Sequence, residues 1–487
     1  MKILTGTQIK EADRYTIEHE PISSIDLMER ASNAIAEWIC NNISKASPLL
    51  FLIGKGNNGG DGLAVARILF HAGYDCSVYL PFEKEQLTSE CGINLERLSS
   101  YIEKVTDINR ISNKHILIDS LLGTGVKGTL KEPLLSIIKK VNSLSNEVIS
   151  IDLPSGMMSE FGNTDQTVIK ADITTLTLEF PKLAMLLPEA GEYCGEIITL
   201  PIGLSKEYIE NAPSLYHYIT EEYIQSITLK REKFGHKGTY GHALLICGSK
   251  GMAGAATLAT GAALRSGCGL VTTHTPYSER FAIQTNYPSA MLSLDDEDYF
   301  SSVPKDLSKY SAIGIGCGLG QEHQTGEAFK ELLTASYKQP FVIDADALNI
   351  LANNYHIKQR IPENSILTPH PGELKRLVGE WHDEEEKINL VRRYAANIKS
   401  IIIVKGAHTM ICLPDGNCYF NSTGNGGMAK GGSGDVLTGC ITGLLARGYN
   451  SAHAAILGVY THGLAGDKAA ARWGIESMNS KDIIDFL

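Results

Sequence analysis

The chain has 487 residues, 43% of them apolar and 20% charged, with 55 acidic against 44 basic side chains and a net charge of −11. That length allows two or three domains with sizeable cores, and the acidic balance excludes bulk nucleic-acid binding, which relies on Lys and Arg neutralising phosphates. The ten cysteines show no C-x-x-C pair or zinc spacing, no apolar run approaches the ~20 residues of a membrane span, and Met1–Tyr15 lacks the apolar stretch of a signal peptide, so a cytoplasmic protein with reduced thiols is expected.

Short runs rich in Ile, Leu and Val alternate with glycine clusters. In chain order they are Leu49–Ile53, His115–Ile118, Val148–Ile151, Ile173–Leu178 and Ile197–Ile202, then Ala243–Cys247, Ala312–Ile315, Phe341–Ile343 and Ile401–Val404. Each reads as a buried parallel strand. Helical patterns lie between them, at Gly62–Ala72 and Ala253–Arg265. Strand, glycine turn and helix in repetition predict an α/β protein with parallel sheets, whose ligands bind at the carboxyl ends of the strands. Around residues 205–230 the text becomes charged and Tyr-rich, without glycine until Gly235, which places a domain boundary there.

In the first half, the segment GKGNNGGDG (Gly54–Gly62) follows the strand LLFLI and opens a helix. Five glycines in nine residues, with two Asn and an Asp, point to a loop whose N–H groups face an anion; a tight strand–helix turn is the plainer reading. HILIDSLLGTG puts Asp119 at a strand end before Gly123–Gly128, and ISIDLPSG puts Asp152 at the next strand end with Ser155 on the following turn. An Asp at the end of a buried strand is costly unless paired or solvated, so these residues are either caps or site groups. Asn58, Asp119 and Ser155 together supply hard oxygens suited to an alkali or alkaline-earth cation rather than zinc. A lone Asp could serve as general acid or base.

GKGNNGGDG, DSLLGTGVKG and SIDLPSG, in that order, resemble the three motifs of the NAD(P)H-hydrate epimerases, over roughly residues 1–215. The resemblance implies that Asn57, Asn58, Gly59, Gly60 and Asp61, with Gly123, Thr124, Gly125, Val126, Lys127, Gly128 and Thr129, contact the hydrated cofactor. It implies potassium on Asn58, Asp119 and Ser155, and Asp152 as cofactor contact and acid/base group. Lys84 is the candidate for the lysine partner of that family. The chemistry is consistent: protonating the C6 hydroxyl of hydrated NADH lets the ring nitrogen expel water, and water returns to either face.

In the second half, GNGGMAKGGSGDVLTG ends with Gly431, Gly432 and Gly434 before a helix that begins near Asp435. Successive N–H groups there make an anion nest, and an Asp beside it suits phosphoryl transfer, with the Asp taking a proton from the attacking hydroxyl. IIIVKGAHTM ends a strand at Lys405, either a phosphate ligand or a solvated strand end. LTPHPGE holds His370 between prolines, and a lone His is more often structural than functional. VIDADALN offers Asp344 and Asp346 as Mg²⁺ ligands or helix caps.

These motifs resemble the ribokinase-like fold. HKGTYGHALLICGS, GMAGAA, LTPHPGE, VKGAHT and GMAKGGSGDVLTG together are similar to the ADP-dependent NAD(P)H-hydrate dehydratases, over roughly residues 225–487. The resemblance implies an adenine nucleotide on Lys405, Gly406, Ala407, His408, Thr409 and Gly434. It implies hydrated cofactor on Ala255, Gly318, His370 and Asp435, and ADP, or ATP, as co-substrate with Mg²⁺. Cys317 stands where that family often has Pro, with an effect expected on the turn alone.

The expectation is therefore two three-layer α/β domains, Rossmann-like at 1–215 and ribokinase-like at 225–487. They would form an epimerase and a dehydratase of hydrated NADH and NADPH. Asp152 and Asp435 would be the catalytic residues, and the chain would self-associate into a homo-oligomer without membrane or nucleic-acid partners. The rival reading is a ribokinase-like small-molecule kinase, acting for example on a hydroxymethylpyrimidine, fused to a non-catalytic binding domain.

Overall fold

The computed structural model describes residues 1–334 and 339–487. The chain divides into two compact units, one of Lys2–Tyr216 with Asp383–Glu385, the other of Met1 with His217–His382 and Glu386–Leu487.

The strands of the first sheet are β1 (Leu49–Ile53), β2 (Cys76–Tyr79), β3 (Glu103–Val105), β4 (Ile116–Ser120), β5 (Val148–Ile151), β6 (Thr174–Leu178) and β7 (Glu196–Leu200). They lie in the order β3-β2-β1-β4-β5-β6-β7 and all pair in parallel. β1 and β4 are buried throughout, β1 as a continuous apolar run covered on both faces and β4 with Asp119 and Ser120 buried at its carboxyl end. The strand order reverses between β1 and β4, with Leu52 opposite Asp119. A crevice opens outside the carboxyl ends of the strands at such a reversal, and GKGNNGGDG and the loop after Asp119 both leave from it.

The second sheet contains β8 (Tyr216–Tyr218), β9 (His242–Ile246), β10 (Leu270–Pro276), β11 (Met291–Asp295), β12 (Ala312–Ile315), β13 (Phe341–Ile343), β14 (Ile366–Leu367), β15 (Ile401–Val404), β16 (Met410–Cys412) and β17 (Cys418–Phe420). Its order is β11-β10-β9-β12-β13-β14-β15-β16-β17-β8. β11 to β15 are parallel, and β16 runs antiparallel to both β15 and β17. Here the order reverses between β9 and β12. The helices Ala253–Arg265 and Ser433–Ala446 pack with backbones almost touching, because a Cβ on Gly439 would lie 2.0 Å from the carbonyl oxygen of Ala259. Only glycine admits that approach, and it fixes the helix of Asp435 against the helix whose first turn carries Ala255.

Nine of the cysteines are buried and Cys40 is exposed, none in a disulfide. Among the described residues no helix is long and apolar enough to cross a membrane.

Candidate active sites

In the first unit, the helix Asn57–His71 begins directly after β1 and Gly56, with no side chain capping it. Its free N–H groups and dipole favour an anion. Asn58 is buried, and its Nδ2 donates to the carbonyls of Leu122 (2.9 Å) and Ile151 (3.2 Å). Its Oδ1 is buried without a hydrogen-bond partner. Asp119 is fully buried at the end of β4. Its Oδ1 accepts from Ser155 Oγ (2.6 Å) and Leu121 N (3.2 Å), its Oδ2 from Ser155 N (2.8 Å) and Ser150 Oγ (3.0 Å). Burial raises this carboxyl above its ordinary value while the bonds from Ser155 pull the other way. Ser155 Oγ also accepts from Leu122 N (2.8 Å). Asn58, Asp119 and Ser155 are thus gathered around one stretch of backbone at residues 121–122.

Asp152 follows β5 at φ 66°, a left-handed conformation costing a non-glycine residue about 1–2 kcal/mol. Its Oδ1 accepts from the ammonium of Lys182, which also donates to Thr177 Oγ1 (2.8 Å) and the carbonyl of Leu178 (3.1 Å). The three donors of Lys182 therefore meet three acceptors, which is what permits a lysine only 1% exposed. The other oxygen of Asp152 faces the next loop, 3.3 Å from where a Cβ on Gly123 would stand. Burial and the charges of Asp152 and Asp13 hold Asp61 well above the usual carboxylate range. Asp13, on the helix Gly6–His19, is pushed up to about 6 by burial and by Asp152, with Lys182 opposing. Asp13 and Asp61 are thus both raised by burial and by the neighbouring charge of Asp152.

Lys84 is placed elsewhere. It is exposed and bonded to Glu96 at 2.7 Å, so Lys182 is the lysine beside Asp152, a correction to the sequence reading. A signal for it existed: Lys182 interrupts the apolar text of FPKLAMLLP just after β6, where an unpaired charge would be costly. Asp13 carried no such signal. Of the loop Gly123–Thr129, Lys127, Gly128 and Thr129 are exposed, while the start of the helix Gly6–His19 covers Thr124 and brings Lys10 close to Gly125.

In the second unit, the helix Ser433–Ala446 starts at Gly432, whose φ of 93° is left-handed, and no side chain caps it. Its open N–H groups form the anion-binding end predicted from the glycine run. Asp435 stands in the first turn, pushed up to about 6 by burial, with a hydrogen bond from Cys317 opposing the shift and Asp344 adding to it. Cys317 thus acts on the charge of Asp435, beyond the effect on its own turn. Gly318 and Ala255 lie against each other, a Cβ on Gly318 falling 2.9 Å from that of Ala255.

Lys405, Gly406, Ala407, His408, Thr409 and Gly434 line one cavity of about 820 Å³, with His370 and His462 on its wall. Burial drives His462 down to about 4, so it is a neutral ring there. Lys405 Nζ lies 2.8 Å from Asp344 Oδ1 and 3.8 Å from Glu373 Oε2. Burial disfavours the ammonium, but these two carboxylates outweigh it and hold Lys405 above its ordinary value. His370 caps the helix Pro371–Val378 through Nδ1, accepting from Gly372 N (3.0 Å), and its own N–H donates to Glu373 Oε2 (2.8 Å). Asp344 caps the helix Ala345–Asn353, and Asp346 accepts from Gly320 N (2.9 Å) and Gln321 Nε2 (3.1 Å). Both candidates for Mg²⁺ are thus engaged by protein donors.

Comparisons with known proteins match both halves. A family profile described as NAD(P)H-hydrate dehydratase matches residues 243–487, and one described as YjeF-related protein N-terminus matches residues 24–184. The bifunctional NAD(P)H-hydrate repair enzyme Nnr of Moorella thermoacetica is 34% identical, over 100% of this chain and 96% of that one. Its namesake from Coxiella burnetii is 32% identical, over 99% and 97%. A ribokinase-like superfamily protein from Enterococcus faecalis is 27% identical with a TM-score of 0.51, covering 56% of this chain and 94% of the other.

Proposed function

This chain belongs to the bifunctional NAD(P)H-hydrate repair enzymes, and from that premise we propose how its two sites divide the work. It is an NAD(P)H-hydrate epimerase and an NAD(P)H-hydrate dehydratase in one polypeptide, assigned to residues 1–215 and 225–487 respectively. The supporting observation is the pairing of two dissimilar centres: a lysine-clamped Asp152 beside one uncapped helix start, and Asp435 on another beside Lys405 and a large cavity. Relatedness along the whole chain disfavours a small-molecule kinase fused to a non-catalytic module.

In the epimerase, the helix start at Asn57 and the loop Gly123–Thr129 bind the hydrated cofactor. Lys182 fixes one oxygen of Asp152 and leaves the other towards that loop. A proton from the raised carboxyl groups of Asp13 and Asp61 reaches the C6 hydroxyl by way of Asp152, the C6–O bond breaks as the ring nitrogen donates its electron pair, and water leaves. Water then adds to either face and Asp152 takes the proton back. The neutral carboxyl groups that Asp13 and Asp61 tend to form keep the proton supply local. The orphaned Oδ1 of Asn58, the buried carboxylate of Asp119 and the hydroxyl of Ser155 fit a potassium ion, which would supply a fixed positive charge to orient the leaving or arriving water.

In the dehydratase, ADP or ATP lies in the cavity with its phosphates towards Lys405 and the N–H groups around Gly434. Asp435 removes the proton of the C6 hydroxyl, whose oxygen attacks the terminal phosphorus; AMP leaves when the donor is ADP. The ring nitrogen then expels phosphate from C6, and loss of a C5 proton restores the dihydronicotinamide. Among the described residues no group of three or more His, Cys, Asp or Glu is arranged for a metal. The residues fit a Mg²⁺ that arrives on the nucleotide phosphates and offsets their charge, rather than one in a cage of its own.

The test supplies each C6 epimer of hydrated NADH separately, with and without ADP, and follows the return of dihydronicotinamide absorbance. The S epimer should need only the second site and ADP, and the R epimer both sites. A phosphorylated product that never returns to NADH would sink the reading.

A further inference from the structure

Three elements carry the chemistry of the second site: the end of β15 with Lys405, the helix Ser433–Ala446 with Asp435, and the turn after β13. One side chain joins them. Asp344 is 1% exposed at the end of β13. Its Oδ1 accepts from Lys405 Nζ (2.8 Å) and from Ala345 N (2.8 Å), and its Oδ2 accepts from Thr438 Oγ1 (2.7 Å). Thr438 is fully buried, one helical turn beyond Asp435. A Cβ on Gly434 would lie 3.4 Å from Lys405 Nζ and 3.6 Å from Asp344 Oδ2, so the anion nest closes against this same pair. Ala345, next in the chain, sits at φ 49°, a strain that a tightly held turn sustains.

We propose that Asp344 is a positioning residue of the dehydratase, which holds the Lys405 ammonium and the helix of Asp435 in one register. The inference rests on the reading given above. A buried carboxylate with both oxygens occupied by protein donors is a clamp, and its two arms do different things. The Lys405 arm aims a charge at the nucleotide phosphates. The Thr438 arm fixes the height of Asp435 relative to them. Displacing a reacting group by about 1 Å costs up to about 100-fold in rate, so each arm has its own kinetic mark.

Asp344→Asn keeps volume and helix-capping ability but removes the charge. It should raise KM for ADP about tenfold and lower kcat for S-epimer dehydration as well. Thr438→Val cuts only the second arm. It should lower kcat roughly 3–10-fold with KM for ADP unchanged, and Thr438→Ser should restore it. Epimerisation by the same preparations, together with thermal unfolding, reports whether the variants are folded. Unaltered kinetics in both Asp344→Asn and Thr438→Val overturn the inference. So does a defect in Asp344→Asn that excess Mg²⁺ abolishes, because Asp344 would then act on the metal. If the unsubstituted chain fails to return NADH from the S epimer, the proposed function falls before the variants are consulted.

Discussion

The two sites share a plan, a strand end feeding a glycine-rich turn and an uncapped helix, yet they treat buried charge in opposite ways. At the first site the charged groups are turned on one another. Lys182 satisfies all its donors within the protein, Asp119 takes four hydrogen bonds, and Asp13 and Asp61 are pressed towards neutrality. At the second, Lys405 is held on one side by Asp344 but borders a large cavity, and the helix start beside it is open. The difference follows the chemistry. Proton transfer to and from a ring hydroxyl needs a poised acid in a closed environment, whereas phosphoryl transfer needs room and positive potential for a polyanion.

The strongest way to break that contrast is Asp435→Asn. Dehydration should fall by about 100- to 10,000-fold, the usual worth of a positioned general base, while epimerisation on the same protein stays unchanged. If both activities fall together, the sites are not independent. Next is Lys182→Met, which leaves Asp152 and its neighbours without their cation. Breaking a buried pair by removing one partner costs about 3–5 kcal/mol, so a lower unfolding temperature should accompany loss of epimerisation, with S-epimer dehydration persisting wherever the protein stays folded.

Exchanging potassium for a large organic cation, or substituting Asn58→Ala, should slow epimerisation about tenfold and leave dehydration alone, given that disturbing a bound metal's surroundings typically costs about 10–100-fold. Equal slowing of both activities would remove the first site's claim to the ion. The smallest expected effect concerns pH. Asp435 acts as a base only when ionised, and with its carboxyl at about 6 the dehydration rate should decline as pH falls through that value. Cys317 lowers that value, so Cys317→Ala should move the decline to higher pH by about 0.7 of a unit, a hydrogen bond from a weak thiol donor being worth about 1 kcal/mol and a pH unit 1.36 kcal/mol. A shift towards lower pH would show that the thiol is not a donor to Asp435.

How legible these features are in the sequence depends on whether they are local. Runs buried on both faces, such as LLFLI and IIIV, announce themselves as strands because nothing but a covered sheet suits them. β10, with the text LVTTHTP, hides, since the partners of Thr272 and His274 stand on the neighbouring strands β9 and β11 and that of Thr273 on the helix Ala253–Arg265. The glycine loops and their acids were readable because backbone freedom and charge at a strand end are both local matters. Lys182 was missed because its partner Asp152 lies thirty residues away, and Asp13 because only the folded chain brings its helix against the site. The link from Asp344 to Thr438 spans still more of the chain.

β8 has a practical consequence for anyone who would separate the two activities. The strand Tyr216–Tyr218 precedes the second unit's glycine-rich text, yet it is the last strand of the ten-stranded sheet, beside β17, and just beyond it Ile219 N donates to the carbonyl of Phe420 (3.0 Å). A fragment cut to begin at residue 225 would strip β17 of that neighbour and display a raw row of peptide groups, an adhesive edge for other copies. A fragment that retains β8 keeps the border finished.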